Sequence, residues 1–316
     1  MFVELKGLSA VDVISDVLRN IRFSGNIFLN TNFAGMWGAR FQPVDMSVFH
    51  CVLSGSCWIG VEWEDDQIET VELKAGDVAF LPKGRTHFIA NAPDTECMPM
   101  EIMPGSPCME TDVSDADANA RVLCGVFQTI DDFQHPLFLT LPEFIHAKFS
   151  EHNKESSWAA HAAYAIDTAI EQNSPGVEAL VDRLYEILFI QLLQSYYSNN
   201  ESTDNYFSSR SVPRIYSVLE AIHEEPAAKW TLDNLAEIAH LSKSAFTNKF
   251  RDAVGMSPMS YVNAWRMYKA RALVRSTGIS IRTIAHRVGF RTQTGFNKAF
   301  KQYFGVSAKQ MRKNII

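Results

Sequence analysis

Two spacings of apolar residues divide this chain of 316 residues. From about 26 to 103 the apolar residues come in short runs closed by Gly, Pro or acidic turns. The run 48–53 reaches Ser54 and Gly55, 57–63 reaches Glu64, Asp65 and Asp66, and 69–73 leads into Ala75 and Gly76. Residues 78–81 stop at Pro82, and 87–90 stop near Pro93. Many short strands with such turns predict a β-barrel or jelly roll. Elsewhere the period lengthens to that of a helix. Helices are expected at 8–18, 157–171 and 177–197, the last two parted by Asn173, Ser174, Pro175 and Gly176. In the third, Leu180, Leu184, Ile187, Leu188 and Leu192 spread almost around the axis. Such a helix is buried, partly against a second subunit or wholly within its own chain. Residues 198–211 are polar and without period, as in a linker. Pro213 then opens a helix that turns Ile215, Val218, Leu219 and Ile222 inward and ends before Pro226. Residues 260–276 read as a long helix with Tyr261, Trp265, Tyr268 and Leu273 available for packing.

The strongest pattern is a repeat between residues 230 and 305. Thr231 and Ser280 stand as N-cap acceptors before apolar-periodic runs. Leu232, Leu235, Ala236 and Ala239 mark one helical face, and Ile281, Ile284 and Ala285 do the same in the second copy. After a break, further helices begin near Ser242 and near Thr292. Ala245, Phe246 and Phe250 form the core face of one, Phe296 and Phe300 that of the other. Gly255 and Gly305 suit the left-handed residue that stops a helix. Phe246, Phe250, Gly255 and Ser257 recur 50 residues on, but Ile238-Ala239-His240 recurs 46 on. That difference predicts four extra residues in the second turn. A short helix, a tight turn and a second helix with polar residues outward is the geometry that enters a DNA major groove. Ser244, Thr247, Asn248, Gln293, Thr294 and Asn297 are then the candidate base readers. Arg251, Lys298 and Lys301 lie a turn further along and are candidates for phosphates, with Lys298 also able to reach a guanine.

Charge points the same way. Residues 205–316 carry 18 bases and 6 acids, net +12, while residues 1–204 carry 11 bases and 30 acids, net −19. From 241 onward, Asp252 is the one acid among 15 bases. A basic half attached to an acidic half implies two domains with different partners. No apolar run is long enough for a membrane span and no secretory leader opens the chain, so a cytosolic protein is expected. The five cysteines, Cys51, Cys57, Cys97, Cys108 and Cys124, are then expected to be reduced.

The residues of the repeat carry a resemblance. Val254-Gly255-Met256-Ser257-Pro258, Arg266-Met267, Ile284-Ala285, Val288-Gly289-Phe290 and Phe300 to Ser307 resemble the DNA-binding domain of the AraC/XylS transcription regulators. His240 stands where that family has a small turn residue, and Ala308 where it has Pro. In the other half, Gly76, Pro82, Gly84, His87 and Asn91 fit G-x5-P-x-G-x2-H-x3-N, which resembles the second signature of the cupin barrel. The stretch from Phe49 to Trp58 is similar to cupin sensor domains attached to some AraC-type regulators. The first cupin signature, with two close His and a Glu, is absent, and His50 alone stands in its place.

His50 and His87 could bind Zn or Fe if Cys97 or Glu101 supplied a third ligand. The plainer reading makes His87 a barrel-lining residue and His50 a packed core histidine. Cys97, in a loop-like acidic stretch, is the best candidate for an oxidant-sensing thiolate, against the reading of these cysteines as small buried apolar residues. No other cofactor is indicated. The expected fold class is α+β. It comprises a cupin-like barrel at 1–150, a helical dimerisation segment at 151–198, a linker at 199–211 and an all-α domain with two helix-turn-helix motifs at 212–316. The expected function is sequence-specific regulation of transcription in response to a small-molecule, metal or redox signal. Double-stranded DNA, an effector, RNA polymerase and a second copy of the chain are the expected partners. A cupin-type metal-binding protein or enzyme with an accessory helical domain is the alternative.

Overall fold

In the computed structural model, which describes residues 13–20, 23–63, 67–102, 113–114, 116–129, 141–148, 157–199 and 213–313, the apolar runs become two sheets. Their strands are β1 (Phe23–Phe33), β2 (Gly38–Phe41), β3 (Ser47–Glu62), β4 (Ile68–Lys74), β5 (Val78–Leu81), β6 (His87–Ala90), β7 (Met98–Met100), β8 (Ala120–Thr129) and β9 (Ile145–Ala147). One sheet runs β1-β8-β3-β5-β9, and the other runs β4-β3-β6-β2-β7. All pairs are antiparallel except β2 beside β7.

Strand β3 belongs to both sheets. The turn expected at Ser54 and Gly55 is instead a bend inside one strand of 16 residues. Its pairing with β8 slips between Val52 and Ser54. Gly55 takes φ +72°, and a Cβ there would meet the Asn119 carbonyl oxygen at 1.9 Å. A bulge of this kind bends a strand and carries it from one sheet to the next, which closes the barrel. The Ser-Gly pair has the composition of a turn, and only its partner strands show that the chain runs on. Strand β8, which the sequence reading passed over, supplies most of that pairing, and β9 and the C-terminal α10 were likewise missed.

Alternation along β3 sends Val48 and Val52 into the barrel with Phe41, Ile59 and Leu81. Phe49 faces the other way. There α2 (Ser157–Gln172) and α3 (Val177–Asn199) cover the sheet. Tyr185 and Phe189 of α3 meet Phe49, Phe80 and Phe127 at ring centroid distances of 5.3–6.1 Å. Asp167 of α2 accepts from Asn30 at 2.8 Å and Arg121 at 2.9 Å. Helices α2 and α3, the described part of the segment expected at 151–198, group with the barrel strands in one compact unit. Burial on α3 is one-sided: Leu188 and Leu192 are fully enclosed, whereas Leu180 and Ile187 remain 51% and 43% exposed.

The chain divides into two compact units, and the helix expected at 8–18 marks the division. It forms as α1 (Val13–Asn20). It groups not with the barrel that follows it but with α4 (Pro213–Glu224), α5 (Leu232–Ile238), α6 (Lys243–Val254), α7 (Pro258–Ser276), α8 (Ile281–Arg287), α9 (Gln293–Phe304) and α10 (Ala308–Lys313). Val13 and Val17 are buried there. Asp16 accepts from Lys269 at 2.5 Å and from His223 Nδ1 at 3.1 Å. His223 is itself stacked on Trp265, 3.8 Å between centroids, and accepts from the Tyr261 hydroxyl at 2.6 Å. The linker beyond residue 199 lies outside the described residues. No helix among the described residues is long and apolar enough to cross a membrane.

Candidate nucleic-acid interface

Each half of the helical unit is built from local rules. In the first motif, the Thr231 hydroxyl accepts from Asn234 N and the Asn234 side chain accepts from Thr231 N, a reciprocal cap on α5. Ser242 caps α6 by accepting from Ala245 N. Phe246 and Phe250 turn inward, edge to face at 5.5 Å, and Gly255 closes the helix with φ +76°. In the second motif Ser280 caps α8, Thr292 caps α9, Phe296 and Phe300 are buried, and Gly305 closes with φ +72°.

The caps give the true register of the repeat. Thr231 and Ser280 are 49 residues apart, while Ser242 and Thr292 are 50 apart, so the second turn holds one extra residue. The four-residue insertion inferred from the Ile-Ala-His triplet is incorrect. Ile238 ends α5 and Ala239 and His240 lie in the turn, but Ile284, Ala285 and His286 lie within α8. Leu241 N bonds Ala236 O, and Phe290 N bonds Ala285 O, which pairs Leu241 with Phe290 and His240 with Gly289. Both are left-handed, His240 at φ +51° and Gly289 at φ +85°. The extra residue falls between Phe290 and Thr292: it is Arg291, exposed just before the α9 N-cap. Comparing N-caps rather than triplets would have located it.

Of the residues singled out for DNA, Ser244, Asn248 and Arg251 on α6 are exposed, as are Gln293, Thr294, Asn297, Lys298 and Lys301 on α9. Thr247 is half-buried, and its hydroxyl donates to the Lys243 carbonyl at 2.8 Å, which leaves its oxygen only as an acceptor. Connector α7 runs under both motifs. Phe250 meets Tyr261 in its first turns at 5.9 Å, and Met267, Ala270 and Val274 further along share a core with Ile284, Phe296 and Phe300.

The barrel holds the other candidates. His50 and His87 are both fully buried, and their Nε2 atoms lie 2.8 Å apart. Phe41 packs on both imidazoles, at 5.0 Å from His87 and 5.3 Å from His50. His87 Nδ1 lies 2.6 Å from the Arg85 carbonyl, which can only accept, so the proton is on Nδ1. In the neutral ring Nε2 is then bare, and His50 Nε2–H must donate to it. His50 Nδ1 is left as a buried acceptor without a partner. Burial holds the His50 pKa well below the ordinary value, with His87 adding to it. Burial also lowers His87, to about 4, against the opposing pull of its bond to Arg85. The pair is thus neutral, and the bond between its rings occupies both Nε2 atoms. A protein metal site takes three or four donors. No group of three His, Cys, Asp or Glu able to hold an ion occurs among the described residues, so neither Cys97 nor Glu101 is brought to the pair. Among the described residues the pair offers two donors, one short of such a site.

Cys97 is half-buried and donates to the Thr95 carbonyl at 3.3 Å. Burial raises its thiol pKa, with Arg40 pulling the other way. Burial raises Cys51 as well, and raises Cys57 to about 12. Cys108 lies outside the described residues.

Comparison with known proteins agrees with the geometry. A Cupin family model matches residues 12–198 and a Helix-turn-helix domain model matches residues 235–314. The regulator AlkR of Acinetobacter baylyi is 24% identical over 308 residues, covering 96% of this chain and 99% of its own. The Escherichia coli protein RclR, named as an RCS-specific transcriptional activator, is 25% identical over 308 residues, covering 96% and 98%. A solved structure of the AdpA DNA-binding domain with a target DNA is 24% identical, covers 32% of this chain and 91% of its own, and has a TM-score of 0.31. Paired helix-turn-helix motifs and a cupin domain in one chain define a DNA-binding transcription regulator, whose partner is double-stranded DNA. The chain belongs to the AraC family of these regulators, in its cupin-bearing form. The relatives compared are named as transcription regulators.

Proposed function

We propose that Ser244, Thr247 and Asn248 of α6 and Gln293, Thr294 and Asn297 of α9 read base edges. Arg251, Lys298, Lys301 and Arg291 meet phosphates, and Lys298 is also placed to reach a guanine. The observation that carries this reading is the common build of α6 and α9, each with a buried Phe pair on one side and a polar, exposed side opposite. Two such helices on one connector address major-groove segments about one helical turn, roughly 34 Å, apart. Losing a base reader costs about 1–3 kcal/mol and relaxes one position, whereas losing a phosphate contact weakens all sequences and lowers the salt slope by about one unit. Opposite the Phe pair α9 carries Lys298 and Lys301 where α6 carries Arg251, and on this reading motif two contributes more of the salt-dependent affinity. The test is footprinting with salt titration on Asn248→Ala and Lys298→Ala. A folded Lys298→Ala protein with unchanged affinity and slope would contradict this division.

The barrel unit is the sensor in this reading. It takes a small-molecule effector and alters how two subunits present their recognition helices to DNA and to RNA polymerase. The one-sided burial of α3 supports the second subunit, because Leu180, Leu184 and Ile187 repeat at spacings of 4 and 3 on its outer side. Sedimentation of the full chain as a monomer at high micromolar concentration would remove that support. We assign no resident Zn or Fe and no catalytic step to the barrel, since its two imidazoles bond each other and no third donor stands beside them among the described residues. Near-stoichiometric metal in the purified protein, lost in His87→Ala, would reverse the assignment. Cys97 is read as a packed thiol, and a thiolate titrating well below the ordinary cysteine range would restore the redox reading.

A further inference from the structure

Two motifs that read one duplex must be held at one distance and one angle, and α7 is the evident spacer. A second tie crosses it at mid-length. Arg266 reaches back to the bend between α4 and α5, where its Nε donates to the Pro226 carbonyl at 2.8 Å and its Nη2 to the Ala228 carbonyl at 2.7 Å. The turn of the second motif arrives at the same place. A Cβ on Gly289 would stand 3.0 Å from Ala227 Cα, 3.0 Å from Ala227 O and 3.0 Å from Arg266 Cζ. The bend that enters motif one, the middle of the connector and the turn of motif two therefore converge on one guanidinium.

This convergence matters because the two motifs touch different stretches of α7. Tyr261 packs with motif one, and Met267, Ala270 and Val274 pack with motif two. Anything that joins motif to motif directly restricts their relative angle more than either helix–helix contact can. The planar fork of Arg can hold two carbonyls at once, while the single ammonium of Lys cannot hold both in fixed geometry. Gly289 supplies the close approach, and the guanidinium supplies the tie.

We propose that Arg266, seated against Gly289, is a positioning residue for DNA recognition. It sets the spacing and angle between α6 and α9, and so the number of base pairs the protein requires between its two contacted segments. The inference rests on the assignment of α6 and α9 as the two recognition helices. Arg266 itself touches no DNA in this scheme.

The test uses the full-length protein and a duplex that it selects from a random library. Two further probes carry one base pair added or removed between the protected segments. The wild type is expected to bind these at least about tenfold more weakly, as for a mismatched contact. Arg266→Gln, checked for folding by its thermal midpoint, is expected to narrow that preference to less than about threefold, and Arg266→Lys should not restore it. A merely structural role would lower binding to all three probes alike and leave their ranking intact, and that result overturns the proposal. So does a wild type indifferent to the added base pair, or full rescue by Lys. If Arg266→Gln fails to fold, Gly289→Ala decides: it should change the ranking, and an unchanged ranking overturns the proposal. A wild type that selects no duplex would defeat the DNA assignment itself, a result separable from all of these.

Discussion

The two helix-turn-helix motifs are made of the same parts and differ in their turns. The first places His240 in the left-handed position and keeps the shorter turn, and the second places Gly289 there and adds Arg291. What the fold demands at this point is a backbone conformation, and the residue type is secondary. A side chain with φ near +51° is tolerated where space is open. Glycine is needed where the turn must press on Ala227 and Arg266. The difference also separates roles, because the extra residue of motif two is a base beside its recognition helix.

The sharpest test of the shared build is the pair of cores. Phe250→Ala and Phe300→Ala each empty a fully buried site and should each cost about 3–5 kcal/mol in denaturant unfolding. A large inequality between them would break the equivalence of the motifs. The turns come next. Gly289→Ala should destabilise by about 1–3 kcal/mol, since it adds left-handed strain to the close contacts. His240→Gly should do the reverse on a smaller scale. Relief of about 1–2 kcal/mol of left-handed strain is offset by about 0.5–1 kcal/mol of extra freedom in the unfolded chain, which leaves a net gain between about 0 and 1.5 kcal/mol. Equal effects of opposite sign would mean that the junction at Gly289 adds nothing. For binding, Arg291→Ala should lower the salt slope by about one unit without changing sequence preference.

The smallest expected effect is the share of the pH dependence that comes from His223, on the motif-one side. There the buried His223 faces Asp16 of α1, Lys269 and Tyr261 of α7, and the Trp265 ring. Burial lowers its pKa, with Asp16 opposing and Lys269 assisting. The unfolded value is about 6.5, so below that pH the unfolded chain takes up the proton more readily. Stability that is complete above pH 6.5 should therefore drain as the pH falls. Thermal midpoints at two pH values either side of 6.5 should differ less in His223→Gln than in the wild type. His50 and His87 supply the remaining slope, because both are also held neutral by burial.

The sequence by itself determined the local elements. Caps at Thr231, Ser242, Ser280 and Thr292, stops at Gly255 and Gly305, and paired Phe residues were all legible, because each signal acts within a turn or two of helix. The outward faces followed from the same period, and with them every candidate DNA residue except Arg291. In the barrel the short apolar runs and their turns were legible, but the run 48–53 has no alternation, so His50 could be read only as a packed core histidine. Tertiary structure decided the rest, since it depended on which distant segments meet. The bend of β3 needed β8 beside it. The unpartnered Nδ1 of His50 needed His87 placed 2.8 Å away, 37 residues along. The membership of α1 came from Asp16 and Lys269, 253 residues apart. No periodicity encodes such pairings, because a residue's spacing from its neighbours sets which way it points and not what arrives to meet it.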